Sequence, residues 1–177
     1  MLKKLSKKYN IILGSASPRR KELLSDINLK FSIQTSNEEE TFSCSLIEEE
    51  IAEFLAKQKS KFLSEKLQQN DLLITADTIV SFNNELLNKP KNKKEAFETL
   101  SKLSKNTHKV ITGVCLKSKN KEIIFSVTTM VTFKELSENE IYHYINKYNP
   151  YDKAGAYGIQ DWIGKIGINN INGSYTN

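Results

Sequence analysis

Ile11-Ile12-Leu13-Gly14-Ser15-Ala16-Ser17-Pro18-Arg19-Arg20-Lys21-Glu22-Leu23-Leu24 runs from apolar residues through a turn of small ones into a helical start. The apolar triplet reads as a short buried strand. Ser17 is a natural N-cap and Pro18 suits the first helical position, so a helix is expected over 19–26, with Leu23 and Leu24 facing inward. A strand, a small-residue turn and a helix start together make an anion site, because the free N–H groups and the positive helix end both point at the turn. Arg19 and Arg20 add fork-shaped donors that suit phosphate oxygens. An ordinary capped helix with two solvated arginines would use the same residues. The turn is not a Walker loop, since the Gly-x4-Gly-Lys spacing is absent.

Outward from this stretch, residues 31–34 read as a second strand, followed by the acidic run Asn37-Glu38-Glu39-Glu40. A long helix is expected over 45–68, with Ile51, Phe54, Leu55, Phe62 and Leu63 at helical spacing. Residues 72–76 form a buried strand expected to end at Asp77-Thr78. Segments 79–82 and 85–87 flank Asn83-Asn84, a hairpin turn. A helix over 94–103 precedes two segments, 109–116 and 123–133, that alternate as antiparallel strands do. A last helix is expected over 138–148, and the tail from Ala154 reads as loop and short strand. Strands alternating with helices early, then paired strands, give an α/β fold with a mixed sheet.

The chain has 177 residues, 38% apolar and 27% charged, which suits one compact domain over 1–177. No run of eighteen apolar residues occurs, so no membrane span is expected. The basic start is followed by too short an apolar stretch for a secretory signal, and the expected address is the cytoplasm. Cys44 and Cys115 stand far apart and outside any CxxC or Cys/His cluster, which argues against zinc or a disulfide scaffold. The net charge of +5 and pI near 9.0 favour an anionic partner. The lysines, however, are spread along the whole chain.

Four further groups could carry chemistry. Asp77, with Thr78, sits where a strand is expected to end, the place α/β proteins put ligands, and could hold a metal or act as a general base. Glu38 to Glu40 and Glu48 to Glu50 could share a divalent cation with phosphates, although most such runs are solvated faces; Glu40 is the one retained. Among Lys57, Lys59, Lys89 and Lys153, the first two lie two apart on a helix, so at most one points into a site. In Asp152-Lys-Ala-Gly-Ala-Tyr-Gly-Ile-Gln160, the glycines suggest close backbone approach, and Gln160 offers an amide able to pair with a base edge. His108 and His143 lack spaced partners for a metal.

Taken in order, Ser-Ala-Ser-Pro-Arg-Arg-Lys-Glu-Leu-Leu, Ala-Asp-Thr-Ile-Val, Asn-Lys-Pro, Thr-Gly-Val, Asp-Lys-Ala-Gly-Ala-Tyr-Gly-Ile-Gln and Ile-Asn-Gly-Ser-Tyr resemble the Maf family from about Ile11 onward. The resemblance implies an inosine-triphosphatase-like fold, an elongated mixed sheet with helical lobes on either side of a central cleft. It implies a nucleoside triphosphate pyrophosphatase that uses a divalent cation, usually Mg²⁺, and is often a homodimer. It makes Asp77 the catalytic proton acceptor and a metal ligand together with Glu40. Ser15, Arg19, Lys59 and Lys89 match positions around the phosphates and metal, and Arg19, Thr78 and Gln160 match those tied to substrate choice. Ala-Tyr-Gly-Ile-Gln is similar to the branch acting on dTTP and UTP, which makes the nucleotide the partner, with no membrane and no stable nucleic-acid complex. Against the family pattern, Gly14 replaces another small residue, an exchange expected to be harmless, and Asn88 stands before Lys-Pro. A Gly-Leu-Pro segment and a C-terminal helix are expected to be lacking. The alternatives are the same reaction on CTP, modified bases or purines, and a non-enzymatic nucleic-acid-binding or cell-division regulator with salt-sensitive binding.

Overall fold

The computed structural model describes residues 2–35 and 46–177. Glu38 to Glu40 and Cys44, singled out above, lie outside the described residues. The elements in chain order are α1 (Leu2–Lys8), β1 (Asn10–Leu13), α2 (Pro18–Asp26), β2 (Phe31–Ile33), α3 (Glu48–Ser64), β3 (Asp71–Phe82) and β4 (Glu85–Leu86). They continue with α4 (Lys93–Leu103), β5 (Thr107–Lys117), β6 (Glu122–Phe133), α5 (Glu138–Tyr148), α6 (Trp162–Gly167) and β7 (Ile168–Asn172). Among the described residues the strands follow the order β2-β1-β3-β5-β6-β7, with β4 paired to β3. Strand β1 is parallel to β2 and β3, whereas β3–β4 and β6–β7 are antiparallel, so the sheet is mixed.

The chain divides into two compact units, one of residues 1–77 with 113–126 and the other of 78–112 with 127–177. In the first, β1 buries Ile11, Ile12 and Leu13. An apolar run without alternation is what a central parallel strand requires, since both its faces are covered. Helix α3 buries Ile51, Ala52, Leu55 and Ala56 at i, i+1, i+4 and i+5, one stripe of a 3.6-residue period. Phe54 falls off that stripe and is 41% exposed, contrary to its expected inward position. The helix ends at Ser64, short of the expected 68, because the Asp71 carboxylate accepts the Gln68 N–H at 2.8 Å and draws the chain into a turn.

Two departures matter more. The strand expected to stop at Asp77 continues to Phe82 and absorbs the segment read as separate. Polar Asp77 and Thr78 interrupt the hydrophobic signal but not the backbone. The hairpin at Asn83-Asn84 is as expected, with φ of 51° and 62° at the two asparagines, the left-handed pair a tight primed turn requires. In the tail, read as loop and short strand, residues 162–167 are helical.

The second unit has its own core, in which Leu100, Leu103, Phe133, Ile141, Tyr144, Ile145 and Ile163 are fully buried. Helix α5 runs over the expected residues, and its capping box is complete: Ser137 Oγ accepts the Glu140 N–H while Glu140 Oε2 accepts the Ser137 N–H at 2.8 Å. Asn92 caps α4 in the same way, accepting from Glu95 N–H at 3.0 Å.

Candidate functional site

The turn after β1 is built by a close approach. The Gly14 N–H donates to Ile74 O at 2.8 Å, and a Cβ on Gly14 would lie 2.5 Å from the Thr75 methyl and 2.9 Å from Leu63 Cδ1. A side chain here would require the Thr75 methyl and the Leu63 side chain to shift. Ser15 then organises the turn: its Oγ accepts the Ser17 N–H and Arg20 Nη1, each at 3.2 Å. Ser17 holds the N-cap position of α2, but its own side chain makes no cap bond. Arg20 is therefore the arginine joined to Ser15. Sequence alone could not choose between the two arginines, because which one folds back depends on the helix phase after the turn. Ser15, Arg19 and Arg20 are all half-buried, and α2 buries none of its residues; Leu23 and Leu24 are half-buried only.

Asp77 is placed by α3. At Gly113 on β5 a Cβ would fall 2.2 Å from the carbonyl carbon and oxygen of Ala52, so the helix backbone lies directly on the strand. One turn later Thr75 Oγ1 donates to Ala56 O at 2.7 Å. A further turn brings Lys59, whose ammonium donates to Ala76 O at 3.5 Å and pairs with the Asp77 carboxylate. Positions 52, 56 and 59 are successive steps on one helix face, which makes the reach of Lys59 a consequence of how α3 docks. Lys57 turns away to Glu122, at 3.6 Å, and Ser126 Oγ donates to Glu53 at 2.7 Å, which holds the neighbouring face.

The Lys59–Asp77 pair is largely buried, with side chains 18% and 16% exposed. The register of the parallel pairing ends at Leu13 with Ile74. Asp77 thus stands just beyond the carboxyl ends of the parallel strands although it lies in mid-strand, and this is where open α/β sheets bind ligands. Lys59 bonds Oδ1 of this carboxylate. Among those residues no three His, Cys, Asp or Glu side chains converge. This donor set still fits Mg²⁺, which needs one or two carboxylates and takes its remaining oxygens from phosphates and water.

Thr78, Lys89 and Gln160 belong to the second unit. The Thr78 hydroxyl lies 2.9 Å from that of Thr112. Lys89 is exposed beside buried Pro90, at a shallow groove lined by Glu85, Asn88, Glu95 and Lys102. Gln160 is exposed in the turn before α6. Lys153 pairs with Asp152 at 2.7 Å. His108 is buried in the second core, with Nε2 2.7 Å from the Tyr157 hydroxyl; burial lowers its pKa to about 4, so the ring is neutral at physiological pH. His143 packs against the Trp162 ring. Cys115 is a buried free thiol.

A family model described as "Maf-like protein" matches residues 10–177. The dTTP/UTP pyrophosphatase of Flavobacterium psychrophilum is 50% identical over 177 residues, covering 100% of this chain and 91% of that protein. That of Flavobacterium johnsoniae is 46% identical over the same shares. A third, from Phocaeicola vulgatus, is 49% identical over 178 residues, 100% of this chain and 92% of that one. Among solved structures, a nucleoside-triphosphatase / dITP/XTP pyrophosphatase from Mycobacterium abscessus is similar with a TM-score of 0.40 and 11% identity, over 72% of this chain and 76% of that one.

Proposed function

The chain belongs to the Maf family, and we propose that it hydrolyses dTTP and UTP to the nucleoside monophosphate and pyrophosphate. The observation that carries the chemistry is the Asp77 carboxylate held by Lys59 beyond the carboxyl ends of the parallel strands. The full-length identity to proteins named for dTTP and UTP supports the choice of base.

Asp77 acts as the general base. It takes a proton from a water whose oxygen attacks the α-phosphorus, the bond from that phosphorus to the bridging oxygen breaks, and pyrophosphate leaves. Ser15, the turn N–H groups and Arg19 receive the polyphosphate at the start of α2. Lys59 orients Asp77 in the resting protein and can share its charge with the phosphates, and Lys89 adds a further cation. A divalent cation, Mg²⁺ in this reading, would be held by Asp77 and Glu40 and would neutralise charge on the triphosphate and the leaving pyrophosphate. Gln160 reads the imide edge of the pyrimidine, with Thr78 and Arg19 shaping the base's surroundings. The reading also makes the nucleotide the partner, the cytoplasm the compartment and the homodimer the assembly. No described helix is long and apolar enough to cross a membrane.

The test is a panel of nucleoside triphosphates with Mg²⁺, scored for pyrophosphate against orthophosphate. Pyrophosphate from dTTP and UTP, lowered about a thousandfold by Asp77→Asn, is the expected outcome. Orthophosphate as product, or an Asp77→Asn protein with wild-type turnover, overturns the assignment.

A further inference from the structure

Gln160 stands exposed in a short turn. The turn is gripped from below by Tyr144 of α5, which is 0% exposed. Its hydroxyl accepts the Gly158 N–H at 3.2 Å and donates to Asp161 Oδ2 at 2.6 Å. One oxygen atom therefore holds residues on both sides of Gln160. The Asp161 N–H closes the loop on Gly158 O at 3.1 Å.

Two further contacts of the Asp161 carboxylate tighten this clamp. Asp161 occupies the N-cap position of α6, where an aspartate ordinarily accepts a helix N–H, yet its carboxylate makes no cap bond and goes to Tyr144. Gly158 is packed so tightly that a Cβ would lie 2.8 Å from Asp161 Oδ2 and 3.2 Å from Lys153 Cε. Lys153 Nζ stands 4.0 Å from the same carboxylate oxygen and adds a cation to the cluster. Burial, reinforced by the Asp161 carboxylate, drives the Tyr144 phenol far above its ordinary range, so it remains a donor at any working pH.

We propose that Tyr144, acting through Gly158 and Asp161, is the positioning residue that aims Gln160 and so sets base discrimination. The inference rests on Gln160 being the residue that reads the base. The test measures kcat and KM for dTTP and CTP in Tyr144→Phe, Asp161→Ala, Gln160→Ala and the Tyr144→Phe/Gln160→Ala double variant. Tyr144→Phe is expected to lower the preference for dTTP roughly tenfold through KM, with kcat for dTTP within about twofold of wild type. Asp161→Ala should reproduce this, and the hydroxyl should have no further effect on preference once Gln160 is gone. Loss of packing alone would lower thermal stability without moving the ratio of the two substrates. If Gln160→Ala loses the preference while folded Tyr144→Phe, or Asp161→Ala should the first not fold, keeps it, the clamp is overturned and base reading by Gln160 stands. If Gln160→Ala itself keeps the preference, both fall.

Discussion

Asp77 and Lys59 show how one ion pair can serve both architecture and chemistry. Each side chain retains less than a fifth of its exposure, so removing either partner leaves the other charge poorly solvated. Lys59→Met should thus act twice, by releasing the carboxylate from its place and by removing a cation from the phosphates. We expect kcat/KM for dTTP to fall about a hundredfold, with Lys59→Arg recovering part of it. Steady-state kinetics on the two variants checks this, and equal values for Lys59→Met and wild type would remove Lys59 from the site. Arg20 teaches a related lesson. The family pattern singles out Arg19, whereas the bond to Ser15 made by Arg20 is visible only in the structure.

At the scale of elements, α3 is the part that delivers a functional group. Its position is set where its backbone at Ala52 rests on Gly113, and Lys59 follows two turns along the same face. Gly113→Ala would force helix and strand apart, since backbone atoms, not a flexible side-chain tip, stand 2.2 Å from the new carbon. The expected cost is about 1–3 kcal/mol of stability, with a loss of turnover greater than the unfolded fraction accounts for, because Lys59 moves with the helix. Thermal melts beside kcat at a temperature well below the transition separate the two effects. A Gly113→Ala protein of wild-type stability and activity would show that the contact is not tight.

For the whole molecule, the buried His108 ties stability to pH. Its ring titrates at 6.5 in an unfolded chain and at about 4 in the folded one, because burial penalises the charged form. Between those values the unfolded chain binds a proton that the folded chain refuses, so stability is full above 6.5 and falls as the pH drops toward 4. The loss amounts to about 3 kcal/mol. Glu122, held low by its bond to Lys117, and Glu140, held low chiefly by the Ser137 N–H, add losses of the same sign at lower pH. His108→Gln keeps an amide for the Tyr157 hydroxyl and removes the titration. Urea midpoints at pH 7 and pH 4.5 should differ markedly in the wild type and less in His108→Gln; equal slopes would mean that His108 is not the group responsible.

The sequence by itself determined the elements whose signals are local. Hydrophobic period, caps and turn residues marked β1, α2, the Asn83-Asn84 hairpin, α4 and α5, and the ordered motifs identified the family and the candidate residues. It could not show that β3 runs unbroken through Asp77 and Thr78, because two polar residues in an apolar run look like a strand end when only the local signal is read. Nor could it show that residues 162–167 are helical, since glycine-rich segments carry little intrinsic preference. The tertiary structure alone decided which lysine meets Asp77, which arginine meets Ser15 and that Tyr144 grips the turn of Gln160. These contacts join residues distant in sequence or turn on helix phase, and their geometry follows from packing, to which local propensity is blind.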